Sequence, residues 1–315
     1  MDQSGGPTMG WNVFRFCTVL RALGSVMIIL VLGLVGFTYY AVVLADYGPA
    51  LFYGGLDSFT SLAVLVLFHA LLVMLLWSYF SVVLTDPGGV PPNWRPKIDE
   101  ERCDADPLVE SAHIGPALAS HDFGESANQN KRYCRKCNQF KPPRSHHCSV
   151  CGRCILKMDH HCIWVVNCVG ALNYKYFLLF LFYTFLETTL VTLSLLPYFM
   201  AFFSDIEIAG TPAGLAASFV AFVLNLAFAV SIMGFMIMHL LFVASNTTTI
   251  EAFEKNTTAK RSYDLGWRSN YEQVFGTKKG FWLIPAYSSE DLRQMPALQC
   301  LEYPKVPDVD ALQRL

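Results

Sequence analysis

The chain has 315 residues, 53% of them hydrophobic and only 15% charged, with a net charge of −2. A soluble globular domain carries about 25% charge, and the mean hydropathy of +0.37 points to a membrane protein. The charge balance excludes a broadly basic nucleic-acid-binding surface. The apolar content excludes a disordered chain, and ten Cys are too dilute for a secreted disulfide scaffold.

Four long charge-poor runs follow in chain order. Arg21 and Asp46 enclose 24 residues without Asp, Glu, Lys or Arg, and Asp57 and Asp86 enclose 28 more. Between Lys175 and Asp205 the only charge is Glu187, and from Glu207 to Glu251 there is none. A membrane helix needs about 20 apolar residues, so spans are predicted near 22–45, 59–84, 176–200 and 216–244. The first run is about twice the length of a cleaved signal's apolar core and is expected to stay as an anchor.

The positive charges set an orientation. Arg15 and Arg21 precede the first span, twelve Lys or Arg lie between spans two and three, and nine follow span four. The short loops 46–58 and 201–215 have none. Four spans put both termini and the long loop on one side, which the positive-inside rule makes the cytosol. The glycosylation patterns at Asn246 and Asn256 would then go unmodified. Clustered Cys would be metal ligands or catalysts, because the cytosol is reducing.

The expected segments are 1–85 (N-terminal tail and two helices), 86–130 (irregular linker), 131–175 (Cys-rich domain), 176–244 (two helices) and 245–315 (C-terminal tail). The fold class is an all-α membrane protein: four transmembrane helices with a cytosolic two-zinc Cys-rich domain of short hairpins between helices 2 and 3.

Residues 131–172 hold seven of the ten Cys and four of the eight His. They contain an interleaved repeat. Cys134, Cys137, His147 and Cys154 have the spacing C-x2-C-x9-H-x6-C, and Cys148, Cys151, His161 and Cys168 repeat it 14 residues later. Three thiolates and one imidazole are a closed structural zinc set, so two structural Zn²⁺ are expected. Metal would also stabilise a polar piece too short to build a large apolar core.

A further shift of 14 residues leads from Cys148 to Cys162, but Val165 stands where a third knuckle needs its second Cys. Cys162 is therefore left over, beside Asp159 and His160. A thiol, an imidazole base and a carboxylate that orients the base form an activated nucleophile. The alternative is that Asp159 and His160 only support the metal ligands.

Asp159-His160-His161-Cys162 within this Cys-rich pattern resembles the DHHC family of protein S-acyltransferases (palmitoyltransferases). The resemblance extends to Asp86-Pro87-Gly88 after helix 2, Asn173 to Phe177 at the start of helix 3, Thr248-Thr249-Ile250-Glu251 after helix 4, and Asn270 to Gly276 in the tail. Ile163 and Val166 replace the family's usual Pro and Asn and remove no ligand or catalytic group.

The resemblance implies that Cys162 attacks a long-chain acyl-CoA such as palmitoyl-CoA, and that the acyl group then passes to a cysteine of a substrate protein near the membrane. His160 would be the general base and Asp159 its orienting group, with Thr249 and Glu251 bracing that corner. The expected partners are membrane lipid, acyl-CoA and proteins with juxtamembrane cysteines, with no nucleic acid. The expected location is the Golgi, another endomembrane or the plasma membrane.

Several side chains keep two readings. Arg132, Lys141 and Arg144 either hold CoA phosphates or are solvated positive charges. Trp164 either meets the first carbons of the acyl tail or anchors at the interface. Glu187 either lies near the closed end of an acyl pocket or joins two helices. For His69 and His239, structural hydrogen bonds are favoured over metal ligation. The tail from Ser289 is expected to be mobile. The alternative function is a membrane-anchored zinc interaction module of RING-like type, which needs no free Cys162.

Overall fold

In the computed structural model the described residues are 16–96, 132–203, 211–254, 263–295, 301 and 303–304, with side chains described from residue 26 onward. The expectations for Cys17, Cys103, Cys300, Asn256 and most of the 86–130 linker concern residues or side chains outside that set.

Among the described residues four helices are long and apolar enough to cross a membrane. Helix α1 (Phe16–Tyr39) continues into a π-helical stretch, Tyr40–Tyr47, and a short turn, Gly48–Ala50. The others are α2 (Gly55–Leu84), α3 (Tyr174–Phe202) and α4 (Pro212–Ala244). Their large side chains point outward in quantity, among them Val66, Val73, Leu226 and Ile237, as lipid-facing helices require. Helix α3 is the most enclosed of the four.

The helices overrun the charge-free runs. Helix α2 takes in Asp57 in its first turn, where a negative side chain meets the positive end of the helix dipole. Helix α3 begins before Lys175 because that ammonium is satisfied inside the protein. Lys175 is fully buried, donates to the carbonyls of Phe275 and Ala286, and lies 4.3 Å from the Tyr287 ring centre.

Among the described residues between α2 and α3 lie three two-stranded antiparallel hairpins: β1–β2 (Tyr133–Cys134, Gln139–Phe140), β3–β4 (His146–Cys148, Arg153–Ile155) and β5–β6 (His160–Cys162, Asn167–Val169). They share one register, because Cys134 faces Gln139, Cys148 faces Arg153 and Cys162 faces Asn167. Each turn passes through a left-handed residue, at Asn138 (φ 52°), Gly152 (φ 68°) and Val166 (φ 53°). The 14-residue period thus runs through three hairpins, although only two have full ligand sets.

The hairpins dock on the end of α2. Asn167 Nδ2 donates to the carbonyls of Val82 and Thr85, and Tyr79 Oη donates to that of Trp164. Backbone N–H groups of Leu156 and Leu172 donate to Gly88 and Pro87, so Asp86-Pro87-Gly88 is the clasp between α2 and the hairpins. At Gly170 an added Cβ would lie 2.7 Å from the Pro87 carbonyl oxygen, so that contact needs glycine.

Beyond α4 come α5 (Thr249–Phe253), α6 (Trp267–Phe275) and α7 (Ser289–Gln294). Asn270 is fully buried and its Nδ2 donates to the Ala244 carbonyl, closing the carboxyl end of α4. Most positions after Met295 lie outside the described residues, but the expected mobile tail from Ser289 is corrected for its first residues, where α7 is docked. Its Asp291 is buried and accepts bonds from the backbone N–H and hydroxyl of Thr277 and from the Ser288 hydroxyl.

Candidate active site and metal centres

The repeat converges as its spacing predicts. The ligand atoms of Cys134, Cys137, His147 and Cys154 all lie within 4.8 Å of one another, as do those of Cys148, Cys151, His161 and Cys168. In the first set the His147 Nδ1 lies 3.2 Å from Cys137 Sγ and 3.6 Å from Cys134 Sγ. In the second the His161 Nδ1 lies 3.5 Å from the sulfurs of both Cys151 and Cys168. Zinc at about 2.3 Å from sulfur and about 2.0 Å from nitrogen puts tetrahedral ligand atoms roughly 3.5–3.8 Å apart. The donor sets therefore fit zinc in size and chemistry, and both are closed, leaving no position for a substrate.

The third hairpin has the same shape without the ligands. Val165, in the position of the second knuckle Cys, is fully buried as an apolar plug. Cys162 takes the position of the first. In a knuckle, backbone N–H groups two and three residues on point back at the first sulfur. Those of Lys136 and Cys137 serve Cys134, that of Cys151 serves Cys148 at 3.3 Å, and those of Trp164 and Val165 serve Cys162. A geometry that stabilises thiolate for a metal thus stabilises thiolate on a sulfur outside both ligand sets.

Alternation along β5 puts His160 and Cys162 on one face of the strand. His160 Nδ1 bonds to Asp159 Oδ2 at 2.7 Å, and the other side of the imidazole stands close to the Cys162 side chain. Burial disfavours the imidazolium, but the Asp159 carboxylate and the Cys162 sulfur outweigh it and raise His160 to about 9. Burial likewise raises the Cys162 thiol, and the neighbouring His160 imidazole outweighs that, leaving it below its ordinary value. The pair favours thiolate and imidazolium, the reactive state of a Cys–His nucleophile.

Asp159 is only 2% exposed. It accepts from the Thr249 backbone N–H at 2.9 Å and from the Thr249 hydroxyl at 2.7 Å. Burial raises its carboxyl, but these bonds and His160 outweigh that and hold it below the usual range. Thr249 therefore braces the corner directly, as the resemblance implied, and Glu251 acts one step further away, through Arg144.

Arg144 differs from both of its expected readings. It is 3% exposed and forked onto Glu251, with Nε to Oε1 and Nη2 to Oε2 each at 2.7 Å. Nη1 reaches Asn246 Oδ1 at 3.0 Å, and the guanidinium packs over the rings of Tyr263 and Tyr303. With those bonds made it is no free phosphate ligand; it fastens the hairpins to the tail. Asn246 is itself buried, and its side chain bonds Arg144, Lys157, Tyr263 and Gln273, which leaves no room for a glycan. Arg132 and Lys141 stay partly exposed, with Arg132 Nη2 3.4 Å from His146 Nε2.

A cavity of about 720 Å³ opens beside Cys162 and His160 and runs between the four membrane helices. Trp164, Phe177, Phe180 and Phe235 line its mouth region and Glu187 its wall, so Trp164 and Glu187 both face it. The size suits a long aliphatic chain.

Sequence reasoning missed His239 at this site. It is fully buried on α4, its Nδ1 lies 3.1 Å from Tyr174 Oη, and its ring centre lies 5.9 Å from that of His160. The signal was a lone titratable residue in the fourth span, but its neighbour is nearly 80 positions away. His69 makes the expected structural bond, with Nδ1 2.7 Å from the Leu65 carbonyl oxygen.

The family model for DHHC palmitoyltransferases matches residues 127–256. Among curated proteins, Probable protein S-acyltransferase 14 of Arabidopsis thaliana is 69% identical, over 97% of this chain and 98% of that one. Probable protein S-acyltransferase 13 of the same plant is 62% identical over 94% and 95%. Palmitoyltransferase ZDHHC20 of Homo sapiens is 36% identical over 89% of this chain and 77% of its own.

Proposed function

The chain belongs to the DHHC palmitoyltransferase family, and from that premise we propose how its residues carry out the transfer. It is a multi-pass membrane enzyme, a protein S-acyltransferase. In our reading Cys162 is the nucleophile, His160 the general base and Asp159 the group that orients and charges the base. Acyl-CoA is the donor.

The thiol proton moves to His160, and Cys162 Sγ attacks the thioester carbonyl carbon. The bond to CoA sulfur breaks, and the CoA thiolate takes the proton from His160. A substrate cysteine thiol then attacks the Cys162 thioester, with His160 accepting its proton and returning it to Cys162. The zinc sets hold the hairpins in register and supply no step; Cys134, Cys137, His147 and Cys154 would hold one ion and Cys148, Cys151, His161 and Cys168 the other.

The observation that carries this reading is a thiolate-stabilised Cys162 at the mouth of an apolar cavity among membrane helices. An acyl tail gains about 0.8 kcal/mol per buried CH₂, so the cavity holds the tail while CoA stays in water. That arrangement needs the hairpins on the water side, and the positive-inside rule makes that side the cytosol. The substrates are then proteins whose cysteines lie close to the cytosolic face of a Golgi, other endomembrane or plasma membrane. Arg132 and Lys141 are the remaining candidates to meet CoA phosphates.

The test is labelling of purified protein by an acyl-CoA analogue. A hydroxylamine-sensitive label on wild type, absent from Cys162→Ser, supports the mechanism; equal labelling of both refutes it. A RING-like module would take no label.

A further inference from the structure

The cavity wall is apolar near the mouth and changes character deeper in. Phe177 on α3 and Phe235 on α4 both stand against the His160 ring, with centres 5.2 and 6.3 Å away. Ten residues along α3 from Phe177 is Glu187, and ten residues back along α4 from Phe235 is Asn225. At 1.5 Å per residue each lies roughly 15 Å from that level. The helices lead away from the mouth together, so Glu187 and Asn225 reach the same depth on two walls. Thr38 of α1 joins that level, because Asn225 Nδ2 donates to its hydroxyl at 3.2 Å. All three side chains line the cavity.

Glu187 is unlike its neighbours. The threonine hydroxyls on that face of α3 are satisfied by their own helix: Thr184 donates to the Phe180 carbonyl and Thr188 to that of Thr184. Glu187 is 5% exposed, and neither carboxyl oxygen has a hydrogen-bond partner among the described residues. A lone carboxyl in hydrocarbon is costly and calls for a partner. A plain alkyl tail offers none. A chain of about sixteen carbons is long enough to reach that level, so a tail with a hydroxyl on its far carbons offers one there.

We propose that this cavity selects acyl-CoA chains hydroxylated at or near the far end, with Glu187 as the hydrogen-bonding partner of that hydroxyl and the Asn225–Thr38 pair as the polar wall opposite. This rests on acyl transfer to Cys162: the acyl carbonyl carbon moves from CoA sulfur to Cys162 Sγ, and the distal hydroxyl takes no part in bonds made or broken. Sites built around a substrate hydroxyl discriminate against chains lacking it because their own buried polar groups are left unpaired.

The experiment is competition between palmitoyl-CoA and 16-hydroxypalmitoyl-CoA for single-turnover labelling of the purified full-length protein. The expected result is a preference of about tenfold for the hydroxylated chain, equivalent to about 1.4 kcal/mol. Glu187→Leu should invert the preference while still accepting palmitoyl. A 3-hydroxypalmitoyl chain, whose hydroxyl stays near the mouth, should gain nothing over palmitoyl in wild type. That comparison decides the matter if Glu187→Leu fails to fold. Equal labelling by the plain and 16-hydroxy chains in wild type, or an unchanged ratio in Glu187→Leu, overturns the proposal. Labelling by neither chain overturns the transfer mechanism beneath it.

Discussion

Val166 adopts the same left-handed backbone as Asn138, two repeats earlier, with φ of 53° against 52°. Asn tolerates that region and a β-branched residue does not. Such strain costs of order 1–3 kcal/mol, and here it sits in the turn that follows Cys162. Val166→Asn should therefore stabilise the protein by about 1 kcal/mol, raising the thermal midpoint by roughly 2–4 °C with two zincs still bound. A lowered midpoint would show that the Val166 side chain gives more in packing than its backbone loses.

The two zinc sets and the thiol are separable. Cys162→Ser should keep both zincs by metal analysis while losing the acyl-enzyme. Cys137→Ala and Cys151→Ala should each lose about one zinc and lower activity indirectly, because each opens one closed site and metal binding is coupled to folding. Full occupancy in both mutants would refute the interleaved pairing.

Thr249→Val should slow acylation by roughly 10- to 100-fold, the range expected when a charged group loses a hydrogen bond worth about 1.5–3 kcal/mol. It removes the hydroxyl donor to Asp159 Oδ2 and leaves the backbone donor to Oδ1. Zinc content and the thermal midpoint separate this effect from unfolding. Unchanged single-turnover rates would mean that His160 needs no brace from the tail.

Arg144→Met should destabilise by about 3–5 kcal/mol, because it leaves the largely enclosed Glu251 carboxylate without its fork. Limited proteolysis should then cut the tail faster. Arg144→Met with Glu251→Gln should recover part of the loss. If the single mutant resists protease as wild type does, the fork is not what fastens the tail.

Glu187→Ala should widen the range of chains towards longer ones, since it opens the wall roughly 15 Å from the mouth. The measurement is the ratio of labelling by stearoyl-CoA and myristoyl-CoA. An unchanged ratio with lowered total labelling would leave helix packing as the role of Glu187.

The sequence made some of this legible and hid the rest for identifiable reasons. The four spans could be read because lipid excludes charge, so charge-free runs mark helices. Their ends could not, because Lys175 escapes the rule by finding two carbonyls in the tail. Both ligand sets followed from one spacing, because metal ligation fixes residue type and interval together. The third hairpin did not, because Val165 and Val166 fill ligand and turn positions with residues that give no periodic signal. Arg144 looked like any loop cation, since its partners Asn246 and Glu251 lie beyond two membrane helices. The docking of α7 was invisible for the same reason: Asp291 finds its donors through tertiary contact, and its polar surroundings in sequence read as exposed tail.

The brace between Thr249 and Asp159 also bears on what the smallest working unit is. An excised Cys-rich fragment would carry every zinc ligand and Cys162. Its Asp159 would lack both Thr249 donors, its Arg144 would lose Asn246 and Glu251, and its third hairpin would lose the end of α2. Such a fragment can be a competent zinc protein and still have no aimed base. The catalytic group is assembled from stretches separated by two membrane crossings, so the bilayer that holds those crossings in place is part of what aligns the reacting atoms.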